Sequence, residues 1–396
     1  VGSEMCIRDR YKVWDYLRKN TDRRHPTSIA KMRKDENINA YIGDKETINR
    51  LLKDMANIMN LEDGGSDYKP EAEWRLYFDD FKKFYGDKER YERDDSDEDD
   101  SYIANVMRIK NLYYNRTFSE KEIDSIIDGI MATRTLDSKS AQELVRKVED
   151  NMTTVFYKRT PRHICKVQEP ELADRELLKD NLAIIQKAID DNVRIQFRFN
   201  GYSYEKKLEP VRAEMDELSP YYIVASGGKY YLLAAKEYEG YKPNMSIWRI
   251  DLMTDIEIPG RNDRLHIKGI PRIPKKNVSN LPEKWSEDFQ LKHLNMSFDK
   301  PVPVTLRIKS EKCEGNPKKR VRPGYTFLHD WFGDSFTYIR TEKEPPYDDI
   351  VRVECSPYGM AHWALQYSEL VEVLEPESLR EDIKNKIKAL NEKYSL

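Results

Sequence analysis

Cysteine is scarce. There are four, Cys6, Cys165, Cys313 and Cys355, far apart and without a CxxC pair. That spacing argues against a zinc ribbon or a disulfide framework and leaves reduced, buried thiols. Long apolar runs are lacking too. No stretch approaches the roughly 18–20 residues a membrane helix needs, and residues 1–10 have no apolar core of the signal-peptide kind. The expectation is a cytoplasmic chain with no membrane partner. Catalytic signatures are also absent: there is no GxxxxGK[ST] loop, no GxGxxG and no HExxH. The six histidines (His25, His163, His266, His293, His329, His362) are scattered. His163 and Cys165 have ligand chemistry but no second pair, so they read as structural. Acidic pairs such as Asp79-Asp80 are expected by chance when 35% of residues are charged. These absences count against an enzyme, a metal site and a cofactor.

What is present is length, tyrosine and unevenly placed charge. A chain of 396 residues suggests two or three domains. The 25 tyrosines suit wet or ligand-facing surfaces, because each joins an apolar ring to a hydrogen-bonding tip. The formal net charge of −3 hides segregation. Residues 1–60 carry 13 Lys/Arg against 9 Asp/Glu, residues 61–100 carry 7 against 16, and residues 259–323 carry 16 against 7. Two basic zones split by acidic sequence fit a nucleic-acid binder better than the total does.

The segment Val1–Asp9 has no initiator at position 1 and resembles an adapter-derived leader, so fold reasoning starts after it. Residues 1–60 read as one domain of three short helices. The first holds Val13, Trp14, Tyr16 and Leu17 and stops near Asn20; the second runs from Thr27 to about Arg33. The third follows Gly43, with Asp44 as N-cap. Its Ile48, Leu51, Leu52, Met55, Ile58 and Met59 recur every three or four residues. Residues 61–192 read as an acidic and helical connector: a short helix at Trp74–Tyr85, a solvated acidic run at Asp94–Asp100, and a capping box at Ser119 and Glu122. Further helices cover 141–148 and 177–189.

At residue 193 the period changes to two. Val193, Ile195, Phe197 and Phe199 alternate with polar residues, and Asn200-Gly201 signals a hairpin. Strands at Tyr221–Ala225, Tyr230–Ala235 and Ile247–Leu252 make 193–258 a small, strongly curved barrel. Residues 259–300 form a basic connector. Residues 301–396 mix strands at 302–308, 351–353 and 371–373 with helices at Pro357–Leu365 and Leu379–Tyr394, a small α/β sandwich. The fold class is α+β, multidomain.

Opposite its apolar stripe, the third helix shows Lys45, Thr47, Asn49, Arg50 and Lys53. Arg and Asn can read guanine and adenine edges, while Lys and Thr suit phosphates. The plainer reading is an ordinary solvated helix face. In the barrel, Tyr221, Tyr222, Tyr230, Tyr231 and Trp248 lie in sequence near Arg198, Arg212, Lys229 and Arg249. Aromatic faces stack bases and Arg pairs with phosphate. Alternation sends Tyr230 and Tyr231 to opposite faces. The plainer reading makes the aromatics core and pairs Arg249 with a carboxylate such as Asp251. The ligand candidates are Tyr231 and Arg249, then Tyr222, Tyr230, Arg198 and Arg212. The cluster Lys312, Lys318, Lys319, Arg320 and Arg322 fits either phosphate contacts or an exposed charged loop.

At the barrel the sequence resembles the WYL family of bacterial transcription regulators. The name-giving tripeptide is matched by Tyr230-Tyr231-Leu232, departing at its first position. The later Phe-Arg-Leu-Asp-Arg segment is matched by Trp248-Arg249-Ile250-Asp251, with Leu252 in place of the second Arg. Leu208-Glu209-Pro210 and the tail Val371–Arg380 match the flanking stretches. The resemblance implies an N-terminal winged helix-turn-helix, an Sm-like, SH3-type barrel that binds a regulatory ligand, a ferredoxin-like WCX-type extension, and homodimers. It also implies a nucleic-acid or nucleotide effector. The expected function is a ligand-responsive regulator bound to a double-stranded DNA operator. Two other readings stay open: an RNA- or single-strand-binding accessory protein of a CRISPR or phage-defence system, and an enzyme acting on nucleotides.

Overall fold

The computed structural model describes residues 2–39, 45–62, 69–79, 109–133, 136–159, 175–313, 316–321 and 324–394. They form an α+β protein of two compact units, 1–171 and 172–396. Among the described residues no helix is long and apolar enough to cross a membrane. Asp44, Asp80–Tyr85, Asp94–Asp100, His163, Cys165, Arg322 and the side chain of Lys318 lie outside the described residues.

The first unit opens with α1 (Gly2–Asn20), α2 (Ile29–Met32), α3 (Glu36–Asn39) and α4 (Lys45–Asn60). Helix α1 starts within the segment 1–9 that resembles a leader. Ser28 starts α2 by accepting a hydrogen bond from the Lys31 backbone N–H, which satisfies one of the orphan donors of a first turn. The stripe on α4 buries Ile48, Leu51, Leu52 and Met55 against Val13, Leu17, Met32 and Ile38. Ile58 departs from the expectation: it is 65% exposed. At 100° per residue it falls roughly 80° off the stripe's centre.

Of the short helix expected over residues 74–85, Leu76–Tyr77 is instead a strand, preceded by the single turn Glu71–Glu73, and residues 80–85 lie outside the described residues. Strand β1 (Leu76–Tyr77) pairs antiparallel with β2 (Tyr113–Tyr114). Next to β2, Thr27 and Leu112 exchange backbone hydrogen bonds of 2.7 and 3.1 Å. Buried Asn60, the last residue of α4, ties this sheet down. Its amide donates to Leu76 O at 2.8 Å, and its Oδ1 accepts from the N–H groups of Arg75 and Leu76. Trp74, Leu76, Phe78 and Leu112 thereby join the core of the helices.

A helical hairpin follows, α5 (Glu120–Ala132) and α6 (Ser138–Met152). The Ser119/Glu122 capping box is present in both directions. The hairpin is held to the end of α1 by Arg18 donating to Asn151 O (2.8 Å) and by Arg116 donating to Thr21 O and Thr153 O (3.0 and 3.3 Å).

The second unit begins with α7 (Arg175–Asp191), which packs on a rolled sheet of β3 (Ile195–Tyr202), β4 (Leu208–Pro210), β5 (Asp216–Ser226), β6 (Lys229–Ala235), β7 (Met245–Arg249) and β8 (Met253–Glu257). The path runs β4-β3-β5-β6-β7, and β8 pairs with β3. Strands β7 and β8 therefore lie at opposite edges of the sheet, yet only the turn Ile250–Leu252 joins them. So short a link requires the sheet to curl into a half-barrel. Its interior holds Ile195, Phe197, Leu218, Leu232 and Ile250, closed by Leu178 and Ile185 of α7. Buried Asn181 of α7 donates to Ile250 O and Met253 O at 3.2 and 2.8 Å, so the helix fixes the β7–β8 turn.

The Asn200-Gly201 pair is not the hairpin turn. Strand β3 runs through it, and the chain reverses at Ser203–Lys207, where Lys206 takes a positive φ. The Asn200 side chain is used elsewhere: its amide donates to Leu252 O and Thr254 Oγ1, both at 3.0 Å.

The connector after β8 carries α8 (Phe289–Lys292) and covers the outer face of β5–β7, burying Phe289 and Met296 against Val224, Leu233 and Met245. Beyond it come β9 (Val302–Ile308), the hairpin β10 (Lys312–Cys313) and β11 (Asn316–Arg320), α9 (Thr326–Phe332), β12 (Thr337–Thr341), β13 (Asp349–Cys355), α10 (Pro357–Gln366), β14 (Val371–Glu375) and α11 (Glu377–Tyr394). The sheet order is β12-β13-β9-β14, antiparallel throughout. One face buries Val304, Leu306, Val351 and Val353 beneath Leu328, Phe332, Trp363 and Leu379 of the helices.

Candidate functional site

On the outer face of the half-barrel the register places Val224, Tyr231 and Arg249 in one rung across β5, β6 and β7. Tyr222, Leu233 and Ile247 form the next. Tyr231 and Tyr222 pack against the connector-covered cluster, whereas Tyr230 and Trp248 face the barrel interior. Of the six ligand candidates the structure thus brings Tyr231 and Arg249 together, with Tyr222 one rung away, and sends Tyr230 to the other side. Trp248 stands edge-on to Phe197 and Phe199 at 5.6 and 5.0 Å between ring centres, a core contact.

Arg249 makes a two-point ion pair with Asp251, Nε to Oδ1 at 3.1 Å and Nη2 to Oδ2 at 2.5 Å. Burial works against the guanidinium charge, but its hydrogen bonds to Asp251 and the carboxylate's charge outweigh that and raise the pKa above the ordinary arginine value. The charge is permanent and its orientation is fixed, while Nη1 makes no hydrogen bond among the described residues. Arg212 lies on the opposite side of β7, 5.8 Å over the Trp248 ring and bonded to buried Asp216 at 2.9 Å. Asp216 also takes Lys236 at 2.7 Å. Arg198 is spent on structure, donating to Ala213 O at 3.0 Å and lying 3.4 Å from Asp255. Neither joins the Tyr231–Arg249 rung.

On α4, Thr47, Asn49 and Lys53 are half-buried, and the Asn49 Oδ1 atom is buried with no hydrogen-bond partner among the described residues. The side chains of Lys45 and Arg50 lie outside the described residues.

The basic cluster after β9 is resolved into a buried centre. Asp349, fully buried, accepts from Lys312 Nζ at 2.9 Å, Arg320 Nη2 at 2.8 Å, Tyr325 Oη at 2.9 Å and Thr341 Oγ1 at 2.6 Å. Burial alone would raise its pKa, but these donors outweigh it and hold the carboxyl well below the usual range. Lys312 and Arg320 therefore anchor the β10–β11 hairpin rather than stand in an exposed loop; Lys319 is exposed.

Sequence reasoning missed three features. Tyr202 comes within electrostatic range of Arg249 because Asn200 ties β3 to the β7–β8 turn. Trp285, in the connector, packs against Tyr222 with the ring centres 5.8 Å apart and the rings tilted. A cleft of about 550 Å³ in the first unit is lined by Arg23, Arg24, Arg116, Lys121, Asp22 and Glu120 among others, with its charges near balance. Only for Trp285 was there a signal, its place within the basic zone.

Residues 300–390 match the family model of the WCX domain. No curated protein matches the chain. Among solved structures, Proteasome accessory factor B/C (PafBC) of Arthrobacter aurescens aligns at 16% identity with a TM-score of 0.22. That alignment covers 73% of this chain and only 40% of that one. A CRISPR Cas-related protein aligns at 15% identity with a TM-score of 0.29, covering 93% of this chain and 94% of that one. The span matched to the WCX domain takes in β9 through most of α11, so it is the C-terminal part of this chain that is similar to the WCX domain.

Proposed function

We propose that the chain is a transcription regulator that binds operator DNA through the first unit and senses an anionic, nucleic-acid-like ligand on the half-barrel. One observation carries the DNA half: Thr27, Leu112–Tyr114 and Leu76–Tyr77 pair side by side next to α4. Helix, strand, two short helices, long helix and two further strands is the chain order of a winged helix-turn-helix, with α4 in the recognition position. Lys45, Thr47, Asn49, Arg50 and Lys53 are then the DNA candidates, of which Arg50 is the residue type suited to guanine and Asn49, with its Oδ1 buried, would have to rotate to meet a base.

In this reading the half-barrel is Sm-like, and the βαββαβ order after it is a ferredoxin-like extension. The Tyr231–Arg249 rung, an aromatic ring beside an oriented cation, receives the ligand. Two copies pair, and ligand binding shifts the placement of the two α4 helices through different affinity for the two arrangements. The protein acts in the cytoplasm and needs no cofactor.

The test is selection from a random duplex pool followed by sequencing, with Asn49→Ala, Arg50→Ala in parallel. An enriched motif of two-fold symmetry, lost in the variant, is expected. No enrichment, with single-strand binding that survives this variant but is lost in Arg249→Ala, would replace the reading with the accessory-protein role.

A further inference from the structure

The basic zone 259–323 is not a uniform cationic surface. Arg261 and Lys268 pair with Asp191, Lys292 with Asp288, Arg307 with Glu342, and Lys312 and Arg320 with Asp349. Four cations close together in sequence, Arg272, Lys275, Lys276 and Lys284, have no carboxylate partner among the described residues. Two of them lie on aromatic rings. Arg272 sits 5.0 Å over Tyr221 and donates to Pro220 O and Asn192 Oδ1. Lys275 Nζ sits 4.2 Å over Tyr222 and donates to its hydroxyl at 2.8 Å.

Beside them Trp285 is 43% exposed. Its ring centre lies 5.8 Å from Tyr222 and 5.4 Å from Phe289, which itself stacks on His293 at 4.1 Å. The Tyr222 hydroxyl donates to Pro282 O and Glu283 O, both at 3.0 Å, so the backbone leading to Trp285 is fixed to β5. Glu283 and Glu287 are exposed on the same stretch and reduce its net charge.

We infer that Trp285, with Lys275 on the Tyr222 ring that Trp285 packs against and with Lys276 and Lys284 close by in sequence, is a second subsite for single-stranded nucleic acid, with Trp285 stacking a base and the lysines holding phosphates. An exposed, rigidly backed ring next to cations lacking carboxylates suits an unpaired base with its phosphate. Paired bases offer no free face. The inference rests on the Tyr231–Arg249 rung as the first subsite. Tyr222 is two strands and one rung from Arg249, roughly 12 Å by strand spacing. A mononucleotide cannot occupy both places, and an oligonucleotide can.

The experiment measures binding of the full chain to thymidine monophosphate and to an oligothymidylate of about ten nucleotides. Wild type is compared with Trp285→Ala, Trp285→Phe and Arg249→Ala. Trp285→Ala should weaken the oligonucleotide roughly ten-fold and leave the mononucleotide unchanged. Trp285→Phe should retain most of the affinity. Lys275→Ala, Lys276→Ala should lower the salt dependence of oligonucleotide binding. If Trp285→Ala binds the oligonucleotide as wild type does, the second subsite is wrong and the first stands; a patch built for a protein partner would give that same result. If wild type binds neither probe, or Arg249→Ala changes nothing, the first subsite fails and takes this inference with it.

Discussion

Arg249 and Asp251 flank the end of β7 and hold each other at two points, with the carboxylate side chain almost wholly buried and the guanidinium about 30% exposed. The pair leaves one arginine structurally committed and, in the proposed reading, still able to meet a ligand. Asp251 consumes Nε and Nη2 and so fixes the plane in which Nη1 is offered.

Removing Arg249 alone leaves a buried carboxylate without its counter-charge. Arg249→Ala should therefore destabilise the second unit by about 2 kcal/mol, beyond any effect on ligand. The double variant Arg249→Ala, Asp251→Ala should regain at least half of that loss. Urea unfolding of both variants measures the difference. Equal destabilisation would mean that the desolvated carboxylate is not the source. Loss of ligand binding in Arg249→Ala should persist in the double variant, since the cation is gone from both.

Asp349 makes the C-terminal sheet sensitive to acid in a defined direction. Its folded-state pKa lies below the ordinary value of about 3.9. The stability it contributes is fully present above about pH 4 and drains as pH falls through that value towards the folded pKa. Asp349→Asn should cost about 3 kcal/mol near neutrality, because Lys312 and Arg320 lose their shared partner. The gap in melting temperature between wild type and variant should stay constant down to about pH 5 and narrow below about pH 4. A gap that does not change with pH would show that the loss comes from packing, not from the carboxylate.

Local patterns in the sequence were legible. The alternation from Val193 to Phe199, the α4 stripe from Ile48 to Met55 and the Ser119 capping box all depend on neighbours a few residues away. What failed depended on distant partners. Asn200-Gly201 looks like a turn until Leu252 and Thr254 supply acceptors for the asparagine amide. The two-residue strands β1 and β2 carry no period of their own and exist because Asn60 and Thr27 offer hydrogen bonds across the fold. Lys312 and Arg320 read as a charged loop because Asp349 lies on another strand. In the half-barrel, alternation separated Tyr230 from Tyr231 correctly. It could not tell that Arg198 and Arg212 were committed to Asp255 and Asp216.

Asn181 links α7 to the turn that carries Asp251. Asn181→Leu would leave the carbonyls of Ile250 and Met253 buried without this donor, at a cost of about 2 kcal/mol. Because the turn presents Arg249, ligand affinity should fall several-fold although Asn181 touches no candidate contact. Calorimetric titration with an oligothymidylate, alongside urea unfolding, reads both effects. A stability loss with unchanged affinity would show that the Arg249–Asp251 pair holds its own geometry without α7.

Asn60 offers the corresponding test in the first unit. Three hydrogen bonds connect its side chain to Arg75, just before β1, and to Leu76, the first residue of β1. In Asn60→Ala two backbone N–H groups and one carbonyl lose their partners where burial is deep, which should cost about 3 kcal/mol. The apolar contacts of Leu76 and Phe78 with the helices remain, so α1–α4 should keep their helical signal while the sheet loosens. If β1 and β2 are the strands of a DNA-binding wing, duplex affinity should drop more than ten-fold at a temperature where helicity is unchanged, and ligand binding by the second unit should be unaffected. Circular dichroism with duplex titration at matched salt separates these outcomes. Unchanged duplex affinity in a variant that has lost the β1–β2 pairing would mean that the sheet supports α4 without meeting DNA.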